Sequence, residues 1–286
     1  MKYWGKIGAL WGAFWGLLFG AAAPAFGGSV TRPGDTVGAA VGMPLPPGFY
    51  FQNQLTEDYR DTSPHGTAIL DDVPVLVWST PWTIVGGRLV LSTAPVVPVN
   101  FRIYDTVSKS GVFNPYFGAQ LAWDLGHNFG VSYLLGGYID IGSPIGYSSD
   151  SLNQRFALSY TGNGWDLTAN TIWGIQFDSV TSGPKVNPDF LNVDLTATKR
   201  FGNWEVGAVG GYSTDLNAPI AAYKKQSQFQ LGPLVGYYFK QAVLQVYVTT
   251  DLYEKNYGAS LISGNIRITI PLGNPPPPGK LRAISP

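Results

Sequence analysis

The sequence predicts an all-β fold: a transmembrane antiparallel β-barrel of about twelve strands, behind an N-terminal signal peptide. Three observations lead there. Segments of roughly ten to fourteen residues alternate apolar and polar side chains, the period of a strand with two different faces. The connections between them run alternately short and long, as in outer-membrane barrels with tight periplasmic turns and longer extracellular loops. The composition fits a wall between lipid and a wet lumen: only 13 % of the 286 residues are charged and 14 % are aromatic, where ordinary globular chains carry roughly a quarter charged. Ser, Thr, Asn, Gln and Gly supply the polar half instead. A net charge of zero gives no electrostatic case for a nucleic-acid partner, and the absence of cysteine rules out disulfides and thiolate metal sites.

Residues 1–25 are expected to be the signal peptide. Lys2 and Lys6 form a short basic start, an apolar run containing Leu10, Phe14, Leu17, Leu18 and Phe19 follows, and Ala23-Pro24-Ala25 supplies the small-x-small cleavage pattern. The run is short for a spanning helix, and no later stretch is long and apolar enough to be one. Residues 26–47 are a Gly/Pro-rich N-terminal segment without a period. It is poor in charge, with Arg32 and Asp35 alone, and it carries Val37, Val41, Met43 and Leu45. Two fates are open: a disordered tether, or a lumen plug. Disordered tails are usually less apolar and more charged than this, which favours insertion into the lumen.

From residue 48 to 272 the barrel is expected, with strands near 48–59, 74–84, 87–97, 113–124, 128–140, 153–161, 164–178, 189–201, 203–213, 226–239, 242–255 and 258–271. The seventh shows the pattern. Trp165, Leu167, Ala169, Thr171, Trp173, Ile175 and Phe177 fall on one face, and Asp166, Thr168, Asn170, Ile172, Gly174, Gln176 and Asp178 on the other. Later strands repeat it, with Phe229, Leu231, Ile266 and Ile268 on the apolar parity beside Trp173 and Phe177. Pro74, Pro81, Pro95 and Pro98 interrupt the second and third strands. Short turns fall at Val85-Gly86, Gly126-His127, Gly162-Asn163, Gly202 and Lys240-Gln241, and long loops at 60–73, 98–112, 141–152, 179–188 and 214–225. Asp71-Asp72 is then expected at a solvated loop tip. A Pro-rich tail, 273–286, closes the chain.

The polar parity collects the lumen-lining candidates: Arg88, Gln120, Asp166, Asn170, Gln176, Asp194, Gln230, Gln245, Tyr247, Asp251 and Arg267. Eight-stranded barrels are filled by side chains and sixteen-stranded ones are open, so twelve strands leave both a filled lumen and a channel possible. No enzyme is expected, and no catalytic, cofactor-binding or metal site. His65 sits in the first long loop and His127 in a tight turn, neither with a hydroxyl and an orienting group in triad arrangement. Gly207, Gly210 and Gly211 lie on a strand with no helix after it, so they lack the context of a nucleotide-binding loop.

Several short stretches, in order, resemble the MetA-pathway phenol-degradation family of outer-membrane transporters, which includes SphA-like porin-type proteins. They are Leu45-Pro46-Pro47-Gly48-Phe49-Tyr50, Thr80-Pro81-Trp82 with Gly86-Gly87-Arg88, Asn114-Pro115-Tyr116-Phe117 leading to Leu121-Ala122-Trp123, Gly164-Trp165-Asp166-Leu167, 204–212 and Leu231-Gly232-Pro233-Leu234-Val235-Gly236-Tyr237. The resemblance implies a barrel in the bacterial outer membrane that takes up small apolar or aromatic organic compounds. Its partners would be outer-membrane lipid, a small-molecule substrate and the outer-membrane assembly machinery. The alternative is a structural or adhesive barrel with a closed lumen and functional extracellular loops. The chain departs from many outer-membrane barrels in ending its last strand on Ile268-Thr269-Ile270 rather than on an aromatic residue.

Overall fold

A computed structural model describes residues 29–179 and 183–273. The expected signal peptide, and the expected tail beyond residue 273, lie outside the described residues. Fourteen strand segments are present among them: β1 (Gly48–Arg60), β2 (Thr67–Ile84), β3 (Gly87–Ala94), β4 (Val97–Ile103), β5 (Val107–Phe113), β6 (Tyr116–Gly126), β7 (Phe129–Tyr138), β8 (Ser149–Tyr160), β9 (Trp165–Ser179), β10 (Phe190–Phe201), β11 (Trp204–Asp215), β12 (Ser227–Tyr238), β13 (Val243–Lys255) and β14 (Leu261–Leu272). Every pairing is antiparallel between neighbours in the wall, and β1 pairs with both β2 and β14, which closes the barrel.

The wall has twelve strands, because two segments continue two others. β3 and β4 pair in turn with the two halves of β2, and β5 and β6 pair with β4 and β3. Each is one long strand broken at a proline, Pro95 or Pro115. The loop expected at 98–112 is therefore a hairpin, β4–β5, that prolongs the wall. Its alternation is regular, with Val97, Val99 and Phe101 inward and Pro98 and Arg102 outward. The prolines interrupt the ladder without turning the chain. Pro74 lies where β2 has passed from β4 and not yet reached β3, and Pro81 lies in the register shift between Ser79 and Thr83; both positions spare a donor the ladder does not use. β2 also begins at Thr67, not 74, so Asp71-Asp72 is no loop tip: Asp71 is buried inside the barrel.

The short turns owe their tightness to left-handed backbone. Val85 and Gly86 have φ of 50° and 77°, and His127 and Asn128 have 53° and 67°, as two-residue hairpins require. At this end an aromatic girdle surrounds the wall: Phe49 stacks on Trp78, Phe129 packs on Tyr160, and Trp204 meets Tyr237. Between the girdle and the far rim the outer face is apolar, with Leu195, Val246, Leu231 and Ile266 exposed. Trp173 and Phe177 are exposed on that face too, and Phe229 and Ile268 share its parity, half-buried by neighbours. No helix of the described residues is long and apolar enough to cross a membrane. The strands cross instead, each paired on both sides except β5, which pairs with β4 alone.

Candidate functional site

The inner face of the wall is polar over most strands and apolar along β2–β5, and the lumen is occupied. Residues 29–47 run through it, held mainly by their backbone. Asp194 of β10 accepts hydrogen bonds from Gly34 N–H (2.6 Å), Thr36 N–H (2.9 Å) and the Thr36 hydroxyl (2.7 Å). Arg267 of β14 donates to the carbonyls of Asp35 (2.7 Å) and Val37, and to Gln54 Oε1 at 3.0 Å. Farther along, Gln245 donates to Gly38 O (2.7 Å), Thr196 accepts from Gly38 N–H (2.7 Å), Gln120 and Ser132 both donate to Val41 O (2.8 Å), and Ser159 accepts from Gly42 N–H (2.9 Å). A segment with so few side chains to pack exposes its peptide groups, and the wall satisfies them. Val37 adds an apolar contact with Val209, Leu234 and Tyr247, and Val41 packs on Ala157.

The remaining lumen-lining candidates divide by depth. Asn170 donates to the Thr36 hydroxyl (2.9 Å) and Gln230 to Pro33 O (2.8 Å), so both touch the segment. Tyr247 is buried beside Arg267, its hydroxyl accepting from the guanidinium at 3.3 Å. Asp166 accepts from the Thr168 hydroxyl at 2.7 Å, and Gln176 from the Ser149 hydroxyl at 3.2 Å. Asp251 stands near the long-loop end, 2.9 Å from Arg60 in an ion pair. Arg88 is at the short-turn end and donates to Thr80 O at 3.0 Å.

Further charged groups line the lumen without having been singled out, among them Asp58, Arg60, Asp71, Arg155 and Glu205. Asp71 was hidden by its expected loop. Arg155 shares its parity with Asn153 and Ser159 on the strand expected at 153–161, so the alternation marks it. Arg32 of the inner segment lies 2.7 Å from Asp71 and 3.4 Å from Asp58. Asp35 is part-exposed to a cavity enclosed by the barrel; burial pushes its carboxyl up to about 6, against the pull of Arg32. That cavity has a volume of about 90 Å³, with apolar walls from Val30, Val73, Val75, Val97, Val99 and Phe113 and polar groups from Arg32, Asp35, Thr36, Gln52, Gln54, Asp71 and Arg155. Among the described residues no group of His, Asp and Glu could hold a metal ion, and His65 and His127 lie in connections outside the lumen.

Residues 31–267 match the family model described as "Putative MetA-pathway of phenol degradation". The chain belongs to this family. The match begins inside the inner segment, so this family's shared sequence includes the part that occupies the lumen. Among solved structures, an outer membrane channel from Pseudomonas putida F1 is similar with a TM-score of 0.61 at 15 % identity, covering 84 % of this chain and 99 % of that one. The β domain of the Bordetella autotransporter BrkA is similar with a TM-score of 0.52 at 10 % identity, covering 79 % of this chain and all of that one, 100 %. No curated protein matches the chain. At these identities the shared property is the fold, that of an outer-membrane barrel, and this member of the MetA-pathway family is a barrel of the bacterial outer membrane.

Proposed function

We propose that the protein is an outer-membrane channel for passive uptake of small apolar or aromatic organic compounds, with residues 29–47 as a plug that must shift before anything passes. One observation carries the reading: polar side chains from strands around the whole wall grip the backbone of that segment, beside a cavity whose walls are mostly aliphatic and aromatic. A lumen built for ions or sugars would keep its polar groups toward water; here most of them are spent on the segment, and the surface of the cavity beside it is mainly apolar. Membership of a family described by phenol degradation supports an aromatic or similarly apolar cargo. The likeness to the channel of Pseudomonas putida F1 supports the barrel, while the autotransporter domain shows that the same barrel serves other ends. The outer-membrane assembly machinery belongs to the same reading as the partner that inserts β14 against β1. Catalysis has no part in it.

The test is conductance and solute flux. The protein is reconstituted in planar bilayers and in liposomes, with and without residues 29–44. The deletion should raise single-channel conductance and speed entry of a small arene, with heat-modifiable gel mobility reporting an intact barrel. A folded deletion variant that neither conducts nor admits the arene would leave the closed structural or adhesive barrel as the better reading.

A further inference from the structure

Two oppositely charged groups face the same apolar cavity and neither is paired. Resting on the channel reading, we propose that this cavity is a binding site for small aromatic or branched-chain carboxylic acids, in which Arg155 holds the carboxylate and Asp35 receives the acid's proton.

Arg155 points inward from β8 and is only 9 % exposed. Its guanidinium carbon lies 5.1 Å from the centre of the Tyr116 ring, its Nε is buried without a partner, and it makes no ion pair with any described residue. A buried guanidinium left in this state is costly, and a carboxylate accepting a forked pair of N–H bonds is the group that best relieves it. The other charges nearby are already engaged. Asp71 is held by Arg32, Asp194 by the backbone of the inner segment, and Arg267 by carbonyls of that segment and by Gln54. Asp35 remains. It faces Arg32, Arg155, Arg267, Asp71 and Asp194. The phenols of Tyr138 and Tyr247 also lie within its field.

Charge balance decides the form of the ligand. Cavity and ligand stay balanced when a whole acid enters: its carboxylate pairs with Arg155, and its proton passes to Asp35, whose carboxyl burial has already moved up to about 6. A bare anion would instead oppose the ionised Asp35. The apolar body of the acid meets Val73, Val75, Val97, Val99 and Phe113. At about 90 Å³ the space is smaller than the ~150 Å³ apolar cavity that takes up benzene, so a ring needs room from Val30, which is buried in the same core. The ligand and the start of the inner segment thus compete for one place.

Benzoate is the probe and benzyl alcohol its uncharged control, titrated by calorimetry into the purified protein in lipid nanodiscs between about pH 5.5 and 7.5, either side of the Asp35 value. Benzoate should bind, with affinity falling about tenfold per pH unit above about 6, because one proton enters with each ligand. Benzyl alcohol should bind far more weakly and without pH dependence. Arg155→Gln should weaken benzoate by about tenfold or more, and Asp35→Asn should keep binding while flattening the pH profile. Heat-modifiable mobility checks each variant; should Arg155→Gln not fold, Arg155→Lys, which loses the planar fork, must still weaken benzoate. No benzoate binding, equal affinity in the Arg155 variants, equal affinity for benzyl alcohol, or a pH slope that survives Asp35→Asn would overturn the proposal. Arene flux through the 29–44 deletion is measured separately, so a channel that opens yet ignores benzoate rejects this site alone.

Discussion

Asp194 and Gly130 show two ways in which single residues hold the inner segment. Asp194 takes three hydrogen bonds from Gly34 and Thr36, each of a charge-assisted kind worth about 1.5–3 kcal/mol. Asp194→Ala should release that stretch, seen as higher conductance and as new protease cleavage within 29–47, with the barrel still heat-modifiable; unchanged conductance and protection would mean that Asp194 is not what holds it. Gly130 acts by being small. A Cβ there would come within 2.6 Å of Met43 Sδ and 2.7 Å of Gly42 O, so Gly130→Leu should push the segment off β7 and raise conductance. Gly264, with open space around its Cβ, is the control, and Gly264→Ala should change nothing. If both glycine variants conduct alike, the close approach at Gly42 does not seat the segment. Of these residues, Asp194 was legible in the sequence as a polar member of an alternating strand. Gly130 was not, because nothing local tells a glycine that relieves a crossing segment from one that merely occupies a strand.

Among the elements, the alternating strands answer to lipid on one side. Ile266 sits at the middle of β14, opposite Leu55 and Val246 on its two neighbours, all three exposed on the outer face. Ile266→Lys should cost about 2–4 kcal/mol of folding into vesicles, read from urea titrations; a cost near zero would take that position out of the hydrocarbon. Most strands were legible for the same reason, since one buried and one wet face enforce a period of two. β4–β5 was not. Its side chains alternate as well, but Pro95, Pro98 and Pro115 carry the signals of a loop, and only pairing with β2 and with each other keeps the segments extended. β2 was cut short for a different reason. Asp71 and Asp72 look like a loop tip until Arg32 is known to meet Asp71 inside.

On the scale of the whole molecule, closure and occupancy act together. Twelve paired strands leave a lumen too wide for their own side chains to fill, and residues 29–47, a chain of successive turns, occupy it. Cooperative loss follows: deleting 29–44 strips partners from Asp194, Arg267, Gln120, Gln245 and Ser159 at once, so the deletion should lower the barrel's thermal stability as it opens the pore. The midpoint is read from the loss of heat-modifiable mobility on heating; an unchanged midpoint would mean water replaces the segment at no cost. What the sequence by itself determined is the class of fold and the sign of each face, because period-two alternation and turn residues are local properties of the chain. Which polar groups find partners was decided only by the tertiary structure. Gly34 meets Asp194 across a separation of 160 residues and Val37 meets Arg267 across 230, contacts set by the closure of the barrel around the segment. The same closure leaves Arg155 facing Asp35 across a cavity with neither paired, and no local pattern in the chain encodes a partner that is missing.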